Sequence, residues 1–401
     1  MKLFYENQYI KEFTAEITSI VEVDNNYHVV LDKTYFYPEG GGQPCDLGSI
    51  ESHKVTYVYE KDDVVYHVLQ EKPIKIHRVK CEIDWQRRFD AMQQHLGQHI
   101  LSAAINELFK GETVGFHLGS ESCTLDINKF LAKEEIEKAE KRANEIILEN
   151  IELEILFPKK SELKKMNIKK DISNIFGPVR IVKIADLDLN PCCGVHPKST
   201  LEVQAIKIKK FEKYKNNTRI EFFSGSRAVN FLMFRDNFAS QVCKFLGADE
   251  SGALNQIEKL SKDFKNITSE NKDLKAEIAN YEVKEMISSC ESINGIKVIK
   301  EIYTNLDMKY LNVLATKLTQ HENVIVLFAL KGDSNSNMLF MCSKTLKSVN
   351  MNELLKDSIS LIDGKGGGSA FAAQGGGKSS NNLESAMDYA FMKIRNCLSD
   401  V

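Results

Sequence analysis

A proline-free segment that spans residues 227 to 290 constrains the fold of this chain more than any other feature of its sequence. Its apolar residues recur at heptad spacing, which is typical of helices that pack along a seam. One seam position holds Ile257, Phe264, Asn271 and Ile278, and the other holds Leu260, Ile267, Leu274 and Tyr281. A polar residue at the Asn271 position fixes register and favours two strands, at a cost in stability. The pattern predicts a helical hairpin or a dimer seam, and a long helix packed on its own domain is the alternative.

The chain around this segment is long enough for two or three globular domains, with 401 residues of which 43% are hydrophobic. We expect an α+β multidomain protein with four parts. These are a small β-barrel with a glycine-rich loop over residues 1–85, an α/β core over 86–225, a helical linker or coiled coil over 226–290, and a glycine-rich α/β domain over 291–401.

Changes in hydrophobic spacing support this division of the first two parts. Val21–Val23 and Tyr27–Leu31 are short β-rich runs around the turn residues Asp24-Asn25-Asn26, and such runs at short intervals predict a barrel or sandwich. From Trp85 the apolar residues recur every three or four positions, which predicts a helix. A second helix is predicted from Lys133 to Asn150.

Charge and cysteine content indicate a cytoplasmic protein without a membrane partner. The longest apolar run, Val324–Leu330, is too short to span a bilayer, and the charged residues Glu6, Lys11 and Glu12 interrupt the region where a signal peptide needs an apolar core. Nine cysteines, an odd number, fit a reducing compartment. Because the net charge is −3, any contact with nucleic acid must come from a local basic face.

Two pairs of residues have the spacing of metal ligands. His95 and His99 are four residues apart in the predicted helix, so both imidazoles project from one face. Cys192 and His196 form a second pair in a proline-flanked loop, where Cys193 competes with Cys192 as the ligand. Three imidazoles and a thiolate suit Zn²⁺. Each pair alone is often accidental, and spacing does not show whether the two pairs converge.

Two glycine clusters are the remaining unusual features. Gly40-Gly41-Gly42 precedes Gln43, where close backbone approach would let the glutamine orient a small polar group, and a simple tight turn is the alternative. The second cluster has flanking lysines that suit phosphate binding, although a linker is the alternative; it contains Lys365, Gly366, Gly367, Gly368, Gln374, Gly375, Gly376 and Lys378. Further basic stretches, at 159–170 and 207–215, are either solvated faces or polyanion contacts.

Together these motifs resemble the editing domain of alanyl-tRNA synthetase, and they are most similar to its freestanding AlaX-type relatives. The similar runs are 36–44, 93–104 and 192–196, with shorter matching stretches at 116–119, 179–182 and 219–221. The glycine-rich C-terminal part resembles the DHHA1 domain of the synthetase and of long AlaX forms. The resemblance covers essentially the whole chain, with its motifs in the order found in the family.

The resemblance implies a hydrolase that deacylates tRNA(Ala) mischarged with serine or glycine. It implies that one Zn²⁺ is held by His95, His99, Cys192 and His196. It implies an aminoacyl pocket that contains Gly40, Gly41, Gly42, Gln43 and Leu96, with Glu39 and His117 as candidate acid/base groups. It also implies that the DHHA1-like domain contacts tRNA through the second glycine cluster and assists formation of a homodimer. The short stretch before Phe36 leaves no room for an activating domain, so we expect the protein to act in trans.

Two departures from the family pattern affect these expectations. Leu96 stands where relatives commonly have Thr or Ser, so a hydroxyl expected to help read the serine side chain is missing. Cys193 and Val195 stand in a loop that usually reads Cys-Gly-Gly-Thr-His, which leaves a spare thiol beside the metal. Two alternatives remain open: hydrolysis of another aminoacyl-tRNA, and a zinc-stabilised tRNA-binding protein without turnover.

Overall fold

The structure is a computed structural model that describes residues 1–73, 78–163, 166, 179–333 and 335–399. It contains two compact units, Met1–Lys244 and Phe245–Val401. Within the described ranges, no helix combines the length and apolar character needed to cross a membrane.

The first unit begins with a closed six-stranded barrel, which confirms the predicted N-terminal barrel. Its strands are β1 (Glu12–Val23), β2 (Asn26–Leu31), β3 (Gly48–Ile50), β4 (His53–Lys61), β5 (Val64–Leu69) and β6 (Arg78–Ile83), paired in the order β1-β2-β5-β4-β3-β6. Asp24 and Asn25 form the predicted β1–β2 turn with φ angles of 49° and 60°. Inward-facing Val29, Val55 and Leu69 fill the barrel, because alternate residues of a strand face opposite sides.

A 25-residue helix, α1 (Trp85–Phe109), follows the barrel. Asp84 caps its first turn by accepting a hydrogen bond from the Arg87 backbone N–H. The helix packs with α2 (Lys133–Leu148) against an antiparallel sheet of β7 (Thr113–Leu118), β8 (Cys123–Ile127), β12 (Ile206–Tyr214) and β13 (Asn217–Ser224), in the order β12-β13-β8-β7. Both predicted helices are therefore present.

A small three-stranded antiparallel sheet completes the region around α1. Its strands are β9 (Leu153–Leu156), β10 (Ile181–Ile184) and β11 (Asp188–Pro191), in the order β11-β10-β9. A short helix, α3 (Lys160–Leu163), lies between β9 and β10 in the chain. This sheet matters for function because Cys192 follows directly after β11.

The predicted helical segment is present as α4 (Gly225–Leu246) and α5 (Glu250–Ser289). Asp249 begins α5 by accepting a hydrogen bond from the Gly252 N–H. Near the end of α5, Ala279 and Val283 are buried in the core of the second unit. The heptad residues before them are exposed, with Phe264 at 73% and Ile267 at 64%. The seam is thus an apolar stripe on the surface of this single chain.

The rest of the second unit is an α/β domain, as predicted. Its elements are β14 (Glu291–Ile293), β15 (Ile296–Thr304), α6 (Met308–Leu318), β16 (Val324–Lys331), β17 (Ser336–Cys342), α7 (Met351–Ile359), β18 (Gly364–Gly368), β19 (Ala372–Gly377) and α8 (Leu383–Ser399). The strands form one sheet in the order β14-β15-β16-β17-β19-β18. Only the β15–β16 pair is parallel among these described strands.

The second glycine cluster, for which the sequence left phosphate binding and a linker open, forms the β18–β19 hairpin of this sheet and is not a linker. β19 lies between β17 and β18, so its backbone is engaged on both sides. The glycines allow α7 to pack close to the hairpin: a β-carbon at Gly366 would lie 3.0 Å from Leu355 Cδ2. Packing against α7 therefore accounts for part of this unusual composition.

Candidate functional site

The first two candidate ligands project from one face of α1. The His95 and His99 rings lie 5.3 Å apart and nearly parallel, because residues four positions apart in a helix occupy the same face. His95 Nδ1–H donates to Gln43 Oε1 at 2.9 Å. This hydrogen bond leaves His95 Nε2 as the ring nitrogen with a free lone pair.

The other two candidate ligands lie in the loop after β11. Gly194 is required there, since a β-carbon at this position would collide with the His95 ring. The Gly194 N–H points to Cys192 Sγ at 3.4 Å, and the Val195 N–H donates to Gln43 Oε1 at 3.1 Å. The Gln43 side chain therefore joins the loop to α1.

The structure brings all four predicted ligands together. Ligand atoms of His95, His99, Cys192 and His196 lie within 4.8 Å of one another, and all four residues are buried. Cys192 Sγ is 3.4 Å from His95 Nε2 and 3.6 Å from His196 Nε2. A tetrahedral zinc ion with ordinary bond lengths separates its nitrogen and sulfur ligands by about 3.6 Å. His99 Nε2 is buried without a hydrogen-bond partner among the described residues, so the cluster fits a metal ion.

Two of the pKa shifts in the metal-free cluster favour cation binding, and one opposes it. Burial raises the pKa of Cys192, but the adjacent His95 and His196 outweigh this effect and hold the pKa well below its usual value. Burial lowers the pKa of His196 to about 3. Burial also acts to lower the pKa of His99, but hydrogen bonding to Asp188 and the nearby Cys192 raise it to about 10. The lowered pKa values of Cys192 and His196 leave their ligand atoms available to a cation, whereas the raised pKa of His99 lets a proton compete for its ring.

Asp188 belongs to the site although no sequence motif singled it out. Its Oδ2 accepts the His99 Nδ1–H at 3.0 Å, and its Oδ1 accepts a hydrogen bond from Asn190. Carboxylates in this position orient metal-binding histidines and fix their tautomer. The only sequence signal was an acidic residue four positions before Cys192, which is too common to be informative without the fold.

The cluster lies at the wall of a cavity of about 760 Å³. Gln98, Ser102 and Asn106 line it from the same face of α1, and Thr113 and Phe116 line it from β7. Gln98 Nε2 donates to Ser102 Oγ at 2.8 Å, and the Ser102 and Thr113 hydroxyls are 2.7 Å apart. The Phe116 ring stacks on His95 with a centroid distance of 5.5 Å. The cavity therefore has a metal-ligand end, a polar wall and an aromatic wall.

Some of the residues expected in the aminoacyl pocket line the cavity, and others do not. Gly41 and Gly42 line the cavity, and a β-carbon at Gly42 would lie 2.8 Å from Phe116 Cε1. The backbones of Gly40 and Gln43 hydrogen-bond to each other and close a turn. This segment is therefore both a tight turn and a place where the backbone closely approaches Phe116. Leu96 is fully buried in the hydrophobic core with Ile100 and does not line the cavity. The expectation that a hydroxyl at position 96 would read the serine side chain is therefore wrong for this chain, because position 96 lies on the core face of α1.

The two acid/base candidates also lie away from the cavity. Glu39 is exposed and its Oε2 accepts a hydrogen bond from the Tyr57 hydroxyl at 2.6 Å. His117 is exposed and follows Phe116 in β7, so it faces the opposite side of the strand. Neither residue lines the cavity. Of the two adjacent cysteines, Cys192 belongs to the buried cluster, whereas Cys193 is exposed and lines the cavity.

The basic stretch at 207–215 is largely paired with carboxylates. Lys207 contacts Glu140, and Lys209 and Lys210 both contact Glu221. These pairs favour the solvated-face interpretation for this part of the chain. In the 159–170 stretch, Lys164, Lys165, Lys169 and Lys170 lie outside the described residues.

Three family models match successive parts of the chain. Residues 3–87 match the model for class II (A) tRNA synthetases, and residues 179–221 match the threonyl and alanyl tRNA synthetase second additional domain. Residues 294–396 match the DHHA1 domain. The second match contains Cys192 and His196.

Whole-length similarity is found to alanyl-tRNA editing proteins. The chain is 31% identical to alanyl-tRNA editing protein AlaX-L of Pyrococcus horikoshii, over 99% of each chain. It is 27% identical to alanyl-tRNA editing protein Aarsd1 of Rattus norvegicus, over 93% of each chain.

Similarity to alanine–tRNA ligases is partial. The match to the Methanobrevibacter smithii ligase, at 29% identity, covers 97% of this chain and 45% of the ligase. A solved C-Ala domain of Aquifex aeolicus alanyl-tRNA synthetase matches 27% of this chain and 96% of that domain, at 25% identity and a TM-score of 0.25. The match to AlaX-L along both chains decides the assignment: this chain belongs to the family of alanyl-tRNA editing proteins.

Proposed function

We propose that this protein is a trans-editing hydrolase that deacylates tRNA(Ala) mischarged with serine or glycine, and so protects translation fidelity. The observation that carries the proposal is the buried set of three imidazoles and one thiolate at the wall of the 760 Å³ cavity. The named activity of relatives that match along the whole chain gives the substrate class.

One Zn²⁺ per chain is the proposed cofactor, held by His95, His99, Cys192 and His196. When bound, such an ion acts as a Lewis acid that polarises an ester carbonyl or lowers the pKa of water. Gln43 and Asp188 hold His95 and His99 in the tautomer that presents Nε2. These two residues therefore orient the ligands, and Gln43, which is buried and does not line the cavity, acts through His95.

The cavity provides a place for the aminoacyl ester next to the proposed ligands. Gly41 and Gly42 form a wall without side chains, which permits close approach of the ester. With Leu96 in the core, recognition of a serine hydroxyl falls to the polar groups of Gln98, Ser102 and Thr113. A site that hydrogen-bonds a substrate hydroxyl can discriminate by up to about 10⁴–10⁵.

The β18–β19 hairpin is the proposed tRNA contact of the C-terminal part. Lys365 and Gln374 are exposed, and the adjacent Gly366 and Gly375 lie against Leu355 and Ile359 of α7. The face of the hairpin opposite α7 therefore has few side chains, and the exposed Lys365 there supplies a cation that can bind phosphate. The contact set proposed is Lys365, Gly366, Gly367, Gly368, Gln374, Gly375, Gly376 and Lys378. The four-part division at residues 85, 225 and 290 remains our proposal for the domain boundaries.

The exposed stripe on α5 is the proposed homodimer seam. Exposed large apolar residues along one helix are costly in water and favour a partner with the same stripe. A parallel pairing would place Asn271 against its copy, where each amide satisfies the other. We also place the reaction in the cytoplasm, where aminoacyl-tRNA is used. The nine cysteines are all free thiols, which fits a reducing compartment.

Deacylation assays with tRNA(Ala) charged with serine, glycine or alanine test the proposed function. We expect zinc-loaded protein to release serine or glycine and to spare alanine, and we expect His95→Ala to be inactive. His117→Ala is the matched control, since it removes an exposed imidazole that does not line the cavity, and it should keep full activity. Absence of turnover with retained tRNA binding would contradict the hydrolase and leave a zinc-stabilised binding protein. Turnover only on another aminoacyl-tRNA would replace the substrate.

A further inference from the structure

The backbone carbonyls of the metal-ligand loop are held from outside the loop. Arg180 Nη1 donates to Cys192 O at 2.8 Å and to Gly194 O at 2.9 Å. The Tyr5 hydroxyl donates to Cys193 O at 2.7 Å. Three consecutive carbonyls, those of residues 192, 193 and 194, therefore each accept a hydrogen bond from a distant side chain.

A second tyrosine and a stacking contact reinforce this arrangement. The Tyr37 hydroxyl lies 2.9 Å from Gly40 O and 3.2 Å from Cys193 O, so it links the glycine turn to the loop. The Arg180 guanidinium lies over the Tyr5 ring, 4.9 Å from its centroid. Arg180 O also accepts the Cys192 N–H at 3.1 Å. The donors thus come from the N-terminal segment, the connection between β2 and β3, and the residue that precedes β10.

We propose that Tyr5, Tyr37 and Arg180 form a carbonyl clamp that positions the Cys192–His196 loop for metal binding and slows metal release. The clamp turns the loop carbonyls outward, which directs Cys192 Sγ and His196 Nε2 inward. Tyr37 is buried and Arg180 is half-buried, so their hydrogen bonds are partly shielded from water. These three side chains are positioning residues: they hold the loop backbone and supply none of the proposed ligand atoms.

The clamp explains how a loop with glycine at its centre can hold two ligands in place. Gly194 is required by the His95 ring, but a glycine loop has high conformational entropy when it is free. Hydrogen bonds to each carbonyl reduce that freedom before the metal arrives. The inference rests on the metal centre of the proposed function, and it is independent of the substrate.

The test is the rate at which zinc-loaded protein releases Zn²⁺ to an excess of a chromophoric chelator, without tRNA. Arg180→Met keeps the apolar stem and removes both hydrogen bonds that Nη1 donates, and we expect release at least about tenfold faster than wild type. Arg180→Lys restores a donor and should give an intermediate rate. Tyr5→Phe removes one hydroxyl from a partly exposed ring, and we expect release about fivefold faster. The visible absorption of Co²⁺-loaded Arg180→Met should also differ from wild type, which a role in folding alone would not produce.

Matched controls separate the clamp from general effects of substitution. Arg78→Met and Tyr57→Phe remove an arginine and a tyrosine hydroxyl from the barrel strands, where their partners are Thr14 and Glu39. Both should release zinc at the wild-type rate. If Arg180→Met does not fold, Tyr5→Phe decides the matter. Wild-type release rates in the clamp variants would overturn the clamp alone, whereas a wild-type chain that binds no zinc would overturn both the clamp and the proposed metal centre.

Discussion

Replacement of Asp188 by asparagine should change how zinc binding depends on pH. In the metal-free protein the pKa of His99 is about 10, since hydrogen bonding to Asp188 and the nearby Cys192 outweigh burial. Zinc must displace this proton, and a protonated His99 therefore competes with the metal below pH 10. Cys192 contributes little further competition, because its pKa is already well below the usual value.

The free-energy cost of displacing this proton follows from the difference between the pKa of His99 and the pH of the assay. At pH 7.5 the pKa of His99 lies about 2.5 units above the pH, so proton displacement costs about 3 kcal/mol. Between pH 7 and 8.5 the apparent association constant should rise about tenfold per pH unit, with about one proton released per zinc. In Asp188→Asn the pKa of His99 falls towards its ordinary value of about 6.5. Its pH dependence over the same range should be nearly flat, and orientation of His99 by the carboxylate, worth about 10–100-fold in affinity, is lost.

Chelator competition at several pH values, with calorimetry in buffers of different ionisation enthalpy, measures both quantities. Asp186→Asn is the matched control: it removes an equal charge from the same hairpin, but Asp186 is exposed and has no contact with His99. This control should keep the wild-type slope. An Asp188→Asn variant with the wild-type slope and one released proton would refute the role assigned to Asp188.

Three further predictions concern other parts of the molecule. His67 is fully buried, and burial lowers its pKa to about 4; the unfolded state thus binds more protons between pH 6.5 and 4. Stability should fall by about 3 kcal/mol across that range, and the His67→Gln variant, compared by denaturant unfolding at pH 7 and 4.5, should lose less. Truncation after residue 290 should weaken tRNA binding and reduce its salt dependence, and unchanged affinity in a salt titration would contradict a tRNA contact there. Phe264→Glu should convert a dimer to monomers in sedimentation, whereas Lys265→Glu, beside it but off the seam, should not.

The sequence predicted the candidate ligands better than it predicted the rest of the site. His95 and His99 follow helical spacing, and this spacing is a local property that survives folding unchanged. Leu96 is next to His95 in the chain, yet it faces the core, because adjacent residues in a helix point about 100° apart. Glu39 and His117 lie in matching motifs, but the strand and turn that carry them direct their side chains away from the cavity.

The glycine cluster at residues 364–377 shows a similar limit. Its composition is unusual in sequence, and the structure assigns it to two paired strands. A loop and a glycine-rich strand are hard to distinguish from composition, because glycine is permissive in both. The strand is selected by tertiary contacts: β19 pairs with β17, and α7 packs against Gly366.

The sequence by itself determined the barrel, the helix with two histidines on one face, and the helical segment before the C-terminal α/β domain. These features depend on periodicity and turn residues, which act over a few positions. Only the tertiary structure decided that Cys192 meets His95, 97 residues away, and that Asp188, Gln43 and Arg180 support the cluster. Such contacts depend on how the barrel, α1 and the three-stranded sheet pack together, and no local pattern encodes that packing.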